Sequence, residues 1–212
     1  MKLNLTMTTL MVAASLTAAE TKVTFDGGPG LPTGWQTGIT GKGQAKWEIV
    51  ADDSAPSKGK VLKQSGEATF AWAAKTDEKI KDGFAEVKFK AVSGKEDQAG
   101  GIVFRFQDGN NYYIVRANAL EDNVVLYKTV AGKRSSLQVK GRMFGYGVDT
   151  KVPQGKWNSL RVEFKGNLFT VCFNGKKLFE VEDATFAEAG AVGVWTKADS
   201  LTLFDDFTFG TK

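Results

Sequence analysis

Hydrophobic and polar positions alternate with a period of two along most of the chain, and the alternation breaks at short clusters of Gly, Asn, Asp and Pro. In Phe84 to Ala91, Ala85, Val87 and Phe89 fall on one side and Glu86, Lys88 and Lys90 on the other. In Ser159 to Lys165, Leu160, Val162 and Phe164 oppose Arg161, Glu163 and Lys165. This period marks half-buried strands, whose side chains point to opposite faces in turn. Three further strands follow one another at the centre of the chain: Gly101 to Gln107, Tyr112 to Asn118 and Val124 to Val130. Asp108-Gly109-Asn110-Asn111 and Leu120-Glu121-Asp122-Asn123 join them, with residues that tolerate positive φ. Asn174-Gly175 is the strongest hairpin signal. It follows the strand Leu168 to Asn174 and leads into Leu178 to Glu182. Lys22 to Asp26, Lys46 to Ala51, Lys60 to Gln64, Thr69 to Ala74, Ser135 to Lys140, Ala191 to Thr196 and Leu201 to Phe209 complete the set. The Gly- and Pro-rich stretch 27–43 reads as a loop anchored by Trp35, and Thr76 to Asp82 as the one place for a helical turn. About thirteen short strands with regular turn signals predict an all-β, two-sheet antiparallel jelly-roll sandwich.

The central hairpin suggests a site. Pairing Gln107 with Tyr112, Arg105 with Ile114 and Val103 with Arg116 puts Ile102, Phe104, Phe106, Tyr113, Val115 and Ala117 on the core face. The opposite face then carries Arg105, Gln107, Tyr112, Arg116 and Asn118. The register of the second hairpin leaves open whether Leu126 or Tyr127 shares a face with Arg116.

Composition narrows the chemistry. The sequence has 212 residues, no histidine, one cysteine and a net charge of +4. Without histidine there is no Ser-His-Asp or Cys-His machinery and no ordinary zinc site. Carboxylates, Lys, Arg or Tyr must do any catalysis, and oxygen ligands must hold any metal. The lysines are scattered among acids, against the clustered basic stripe that nucleic acid binding needs. Residues 1–19 have the order of a secretory signal peptide: Lys2, an apolar run to Leu16, and Thr17-Ala18-Ala19 as cleavage site. They are too short and polar for a membrane span. The expectation is a single domain over 20–212, soluble, in the periplasm of a bacterium or outside the cell. Cys172 then has no disulfide partner and reads as a small buried thiol.

Three runs carry a resemblance: GGIVFRFQDGNNYYIVRANALEDNVVLYK, FKGNLFTVCFNGKKLFEVED and AGAVGVWTKADSLTLFDDF. They resemble concanavalin A-like lectin/glucanase domains, most of all the bacterial 3-keto-disaccharide hydrolase family, over Phe25 to Phe209. The resemblance implies a curved sandwich whose concave sheet holds carbohydrate. Some relatives cleave glycosides carrying a 3-keto group and others only bind glycans. Family-sixteen glucanases carry Glu-x-Asp-x-x-Glu, because retaining hydrolysis needs two carboxyl groups about 5 Å apart. That motif is absent. Its nearest counterpart, Glu180-Val-Glu182-Asp183, reads as a solvated strand face.

Candidate roles follow. Arg105 and Arg116 would bind sugar hydroxyls or stabilise an enolate beside a ketone. Glu121 would be a general base or a hydroxyl acceptor, with Asp122 beside it. Gln107, Tyr112 and Asn118 would flank the arginines. Trp195, with Lys197 on the same face, would be a platform for a pyranose ring. Arg142 and Tyr146 would rim a cleft from a glycine-punctuated loop. Asp26 and Asp205 are candidate ligands for a structural calcium. No organic cofactor is expected. Three functions remain: carbohydrate binding, hydrolase or lyase action on 3-keto-glycosides, and adhesion to protein.

Overall fold

The computed structural model describes residues 20–28 and 30–211. The leader-like segment 1–19 lies outside the described residues. Among those residues there is no helix, and so none long and apolar enough to cross a membrane. The strands of the described residues form two antiparallel sheets.

The first sheet runs, edge to edge, through β14 (Lys176–Glu182), β13 (Leu168–Phe173), β12 (Trp157–Lys165), β6 (Gly83–Ser93), β16 (Leu201–Thr211), β4 (Lys60–Gln64) and β3 (Trp47–Ala51), with β1 (Glu20–Val23) paired to β16. The second runs through β10 (Lys133–Ser136), β9 (Asn123–Val130), β8 (Asn111–Asn118), β7 (Ala99–Asp108), β15 (Gly190–Ala198), β5 (Glu67–Ile80) and β2 (Trp35–Gln44), with β11 (Val148–Asp149) paired to β9. The two predicted alternating strands are adjacent, with Val87 opposite Leu160. Their apolar sides enter the layer between the sheets beside Ile102, Phe104, Tyr113 and Val115.

Two segments differ from the sequence expectation. Residues 35–44 form β2 rather than a loop. Trp35 is buried against Phe25 and Phe207, as an anchor should be. The glycines that lower strand propensity here are required by packing. A Cβ on Gly38 would lie 2.3 Å from the Trp72 ring, and one on Gly41 2.7 Å from Thr69. The 76–82 stretch makes no helical turn either, because β5 continues through Ile80 and pairs there with Gly190.

The second sheet curls back over its outer face. β10 and β5 are five strand spacings apart, about 24 Å in a flat sheet. Yet the Arg134 guanidinium on β10 lies 4.5 Å from the Phe70 ring centroid on β5. The Thr40 hydroxyl on β2 hydrogen-bonds Tyr112 Oη on β8 at 2.8 Å and donates to Gly109 O at 2.5 Å. A second apolar cluster fills the concavity: Phe70, Val103, Phe106, Tyr112, Ile114 and Trp195.

At one end, Tyr113 donates from its hydroxyl to Asp183 Oδ1 (2.6 Å), and Lys128 Nζ donates to Asp183 Oδ2 (2.8 Å). Burial alone would raise the Asp183 pKa, but Lys128, Thr185 and Tyr113 together hold it down at about 2. Burial and the facing carboxylate raise Tyr113 to about 12. A carboxylate depressed in the folded state stabilises fully above its unfolded pKa and loses that contribution as pH falls through the folded value. Asp183→Asn is therefore expected to cost about 2 kcal/mol near neutrality. Calorimetry should show the gap to wild type closing as the pH is lowered from 5 towards 2.

Candidate functional site

The β7–β8 register divides the two arginines. Gly101 pairs with Arg116, Val103 with Ile114 and Phe104 with Tyr113, and the regular register then breaks before Asp108 pairs with Asn111. Arg105 sits in this bulge at φ 44°. Residues 105–107 stand opposite Tyr112 alone, and such a bulge breaks the strict alternation of the strand within it. Phe104 therefore faces the inter-sheet core while Phe106 faces the concavity, where its ring lies 4.9 Å from Trp72. The expectation that Phe106 faces the core and Arg105 the polar face is corrected on both counts.

Arg105 is a buried clasp at the end of the sandwich. Its Nε donates to Lys81 O (3.1 Å), Nη1 to Phe186 O (2.8 Å), and Nη2 to Gly166 O (2.5 Å) and Asp82 Oδ1 (3.3 Å). Its guanidinium lies over Phe169 and Phe164. With 1 % exposure it can touch no ligand.

Arg116 organises the open end of the concave face. The β8–β9 register pairs Ile114 with Tyr127 and Arg116 with Val125, so Tyr127 rather than Leu126 shares the face of Arg116. Arg116 is 1 % exposed. Its Nη1 donates to Asn123 Oδ1 (2.7 Å), and its Nη2 to Glu121 Oε2 (2.8 Å) and Tyr146 Oη (3.1 Å). Asn118 Nδ2 donates to Glu121 Oε1 (3.0 Å) and to Asp97 Oδ1 (2.6 Å), and Asn123 Nδ2 to Glu121 Oε2 (3.0 Å). Lys197 pairs with the other oxygen of Asp97.

Glu121 is the accessible member, with 38 % of its side chain exposed. Burial opposes its ionisation, but Arg116 and Asn123 outweigh it and hold the carboxyl below the ordinary glutamate range. It is an anion at neutral pH, with three donors fixing its oxygens. Tyr146 is exposed above it, its hydroxyl also bonded to that of Tyr127. Arg142 is exposed and donates to Gly147 O, shaping the 141–147 loop. Lys197 continues the site into a cavity of about 460 Å³ between Lys42, Glu67, Thr69 and Glu96.

The remaining candidates lie elsewhere. Tyr112 and Trp195 face the concavity as expected, but both have 0 % exposure and present no platform. Arg134 roofs them, 5.6 Å from the Trp195 centroid. Gln107 is at the opposite end, donating to Arg105 O and Ala189 O. Asp122 occupies a left-handed turn position (φ 47°), and its carboxylate accepts from Lys151 Nζ and Val152 N. Asp26 and Asp205 flank one turn and accept from Lys60 N and Ser57 N, both at 2.8 Å. Among the described residues no three Asp, Glu or Cys gather as a metal site. Cys172 is half-buried and free, with burial pushing its thiol pKa up, so it is not an activated nucleophile.

Two members went unrecognised in the sequence, Asp97 and Arg134. Arg134 had one legible signal. Runs such as Tyr-Tyr-Ile-Val and Val-Val-Leu-Tyr are apolar on both faces, and such strands are covered on both. A cover for the second face was therefore required.

The sequence profile of 3-keto-alpha-glucoside-1,2-lyase-like domains matches residues 20–207. The chain belongs to this family. Solved structures share its fold. A carbohydrate-binding module, CBM66 from Bacillus subtilis, superposes with a TM-score of 0.63 at 21 % identity, covering 84 % of this chain and 96 % of the module. Bacillus licheniformis β-glucanase gives 0.56 at 11 % identity over 93 % and 99 % of the two chains. A putative glycosyl hydrolase from Parabacteroides distasonis gives 0.53 at 15 % identity over 85 % and 89 %. None of the curated proteins matches the chain. The chain is thus a concanavalin A-like β-sandwich of a sugar-related family.

Proposed function

We propose that this lyase-like domain binds a glycan outside the cytoplasm, at the open end of its concave sheet. Glu121 would accept from a sugar hydroxyl, oriented from beneath by the buried Arg116, with Tyr146 against the ring. The observation that supports this most is the state of Glu121. It is an ionised, partly exposed carboxylate whose oxygens are aligned by buried donors. A sugar hydroxyl can donate to the lone pair left on Oε1, and a pre-ordered acceptor loses little entropy on binding. Glu121→Gln keeps the shape and removes the charge. Charge-assisted hydrogen bonds contribute about 1.5–3 kcal/mol, so calorimetric titration with oligosaccharides should show affinity falling at least about tenfold. Thermal stability should fall as well, because the buried Arg116 guanidinium loses its anion and the new amide turns an NH2 towards one of the donors. Unchanged affinity would remove Glu121 from the site.

The family supports a second reading, in which Glu121, held in place by Arg116, takes the acidic proton beside the ketone of a 3-keto-glucoside. A depressed pKa makes Glu121 a weak base, which ranks binding first. Product signals in an NMR time course with a 3-keto-disaccharide, lost in Glu121→Gln, would reverse that order.

A further inference from the structure

We infer that the concave sheet has a second sugar subsite, built on Trp72 at the end opposite Glu121. A cavity of about 310 Å³ opens there between β2, β5, β7 and β15. Trp72 forms its aromatic wall, half-buried and braced by Phe106 at 4.9 Å. Gly109 lines the cavity too, and two glycines pack against the indole and hold it in place. A Cβ on Gly38 would come within 2.3 Å of the indole, and one on Gly109 within 2.8 Å. The indole Nε1 is sheltered and has no hydrogen-bond partner, so a ligand would meet the ring rather than its N–H.

The rim is polar and partly unengaged. The side chains of Gln36 and Lys79 are exposed and make no hydrogen bond or ion pair among the described residues. Gln107 uses its Nε2 on Arg105 O and Ala189 O, which leaves its Oε1 as an acceptor. The Asp108 carboxylate is occupied by Asn110 N and by Asn111 Nδ2. An aromatic wall ringed by amides, with one ammonium and one engaged carboxylate, suits a neutral pyranose ring stacked on its apolar face. Ala191 lines this cavity and Lys197 the other, six residues apart on β15, or about 20 Å. Between them Trp195 and Tyr112 are fully buried, so the two ends are separate openings. The choice of ligand rests on the carbohydrate reading above; the place and shape of the slot do not.

The test is an NMR titration of the 15N-labelled protein with maltotriose, cellotriose and laminaritriose. The Trp72 indole signal, assigned through Trp72→Phe, reports this subsite. The side-chain amides of Asn118 and Asn123 report the Glu121 end. We expect the Trp72 signal to move saturably in the wild type and in Glu121→Gln. In Gln36→Ala its apparent Kd should rise several-fold while the Asn118 response is unchanged. If the asparagine amides move and Trp72 does not, the subsite is overturned and the Glu121 site stands. A Trp72 shift that disappears in Glu121→Gln is an echo of the other end and also overturns it. Movement of Trp72 alone supports the subsite and overturns the Glu121 reading; movement of neither overturns both.

Discussion

Arg105→Ala is expected to lower the melting temperature by about 10 °C or more while leaving glycan binding by the folded protein unchanged. The guanidinium donates to three backbone carbonyls and to Asp82 from a position with 1 % exposure. It ties together the turn after β5, the turn between β12 and β13, and the 183–189 loop. Truncation leaves those acceptors without a donor and opens a void over Phe164 and Phe169. Asp82 is 40 % exposed and is rehydrated, so the cost comes from the three carbonyls left without a donor, about 1–3 kcal/mol each, and each kcal/mol shifts the melting point of a domain this size by about 2–4 °C. Arg105→Lys should recover less than half, because one ammonium cannot reach the acceptors of a planar fork. Scanning calorimetry reads the loss, and titration at a temperature where both proteins are folded separates it from binding. A melting point within about 2 °C of wild type would show that the clasp contributes little.

Arg105 also shows where the sequence ceases to be legible. Phe-Arg-Phe on a strand reads as two core phenylalanines around an outward arginine. That inference needs one face to be wet. Here both faces are dry, Phe104 joining the inter-sheet core and Phe106 the concave cluster. With apolar surroundings on either side, alternation cannot say which phenylalanine faces which way, and nothing in the residue types announces a left-handed Arg105. The strands of the first sheet were easier. Glu86, Lys88 and Arg161 lie on its outer side, so periodicity alone placed Val87, Phe89 and Leu160 in the core. The strand β2 was hidden for a different reason. Its glycines serve Trp72 and Thr69, neighbours distant in sequence, and local propensity carries no record of them.

The candidate site was half legible. Glu121, Arg116 and Asn118 share a hairpin, so their proximity follows from register and turn position. Tyr146 and Lys197 were assigned correctly to a loop and a strand face, but their approach to the same network depends on how the sheet curls. The curl brings Arg134 to Phe70 across about five strand spacings, a contact that no short window contains. For the same reason Tyr112 and Trp195, well suited by type to stack on a sugar, are enclosed beneath Arg134.

Arg116→Ala is expected to abolish measurable binding at the Glu121 end, a loss of about a hundredfold or more, and to destabilise the fold as well. Arg116 is buried while Glu121 is partly solvated, so the two halves of the pair should respond unequally. Without Arg116, Asn123 loses its donor, a void opens beside Tyr127, and Glu121 keeps water on one side. That partial solvation limits the stability cost to about 2–3 kcal/mol, below the range for a fully buried pair. The titration of Glu121 should change too. Arg116 is the strongest influence lowering its pKa, and burial is the influence opposing it. Removing the guanidinium leaves burial in control and moves the carboxyl upward. In the wild type, binding that needs the carboxylate persists as pH falls below the ordinary glutamate range; any residual binding by Arg116→Ala should fail at a higher pH. Arg116→Lys restores a charge without the fork that reaches Asn123, Glu121 and Tyr146 together, and should recover stability better than affinity. If Arg116→Lys instead binds as tightly as wild type, the geometry of the fork is irrelevant, and the site would be recognising its ligand by charge alone.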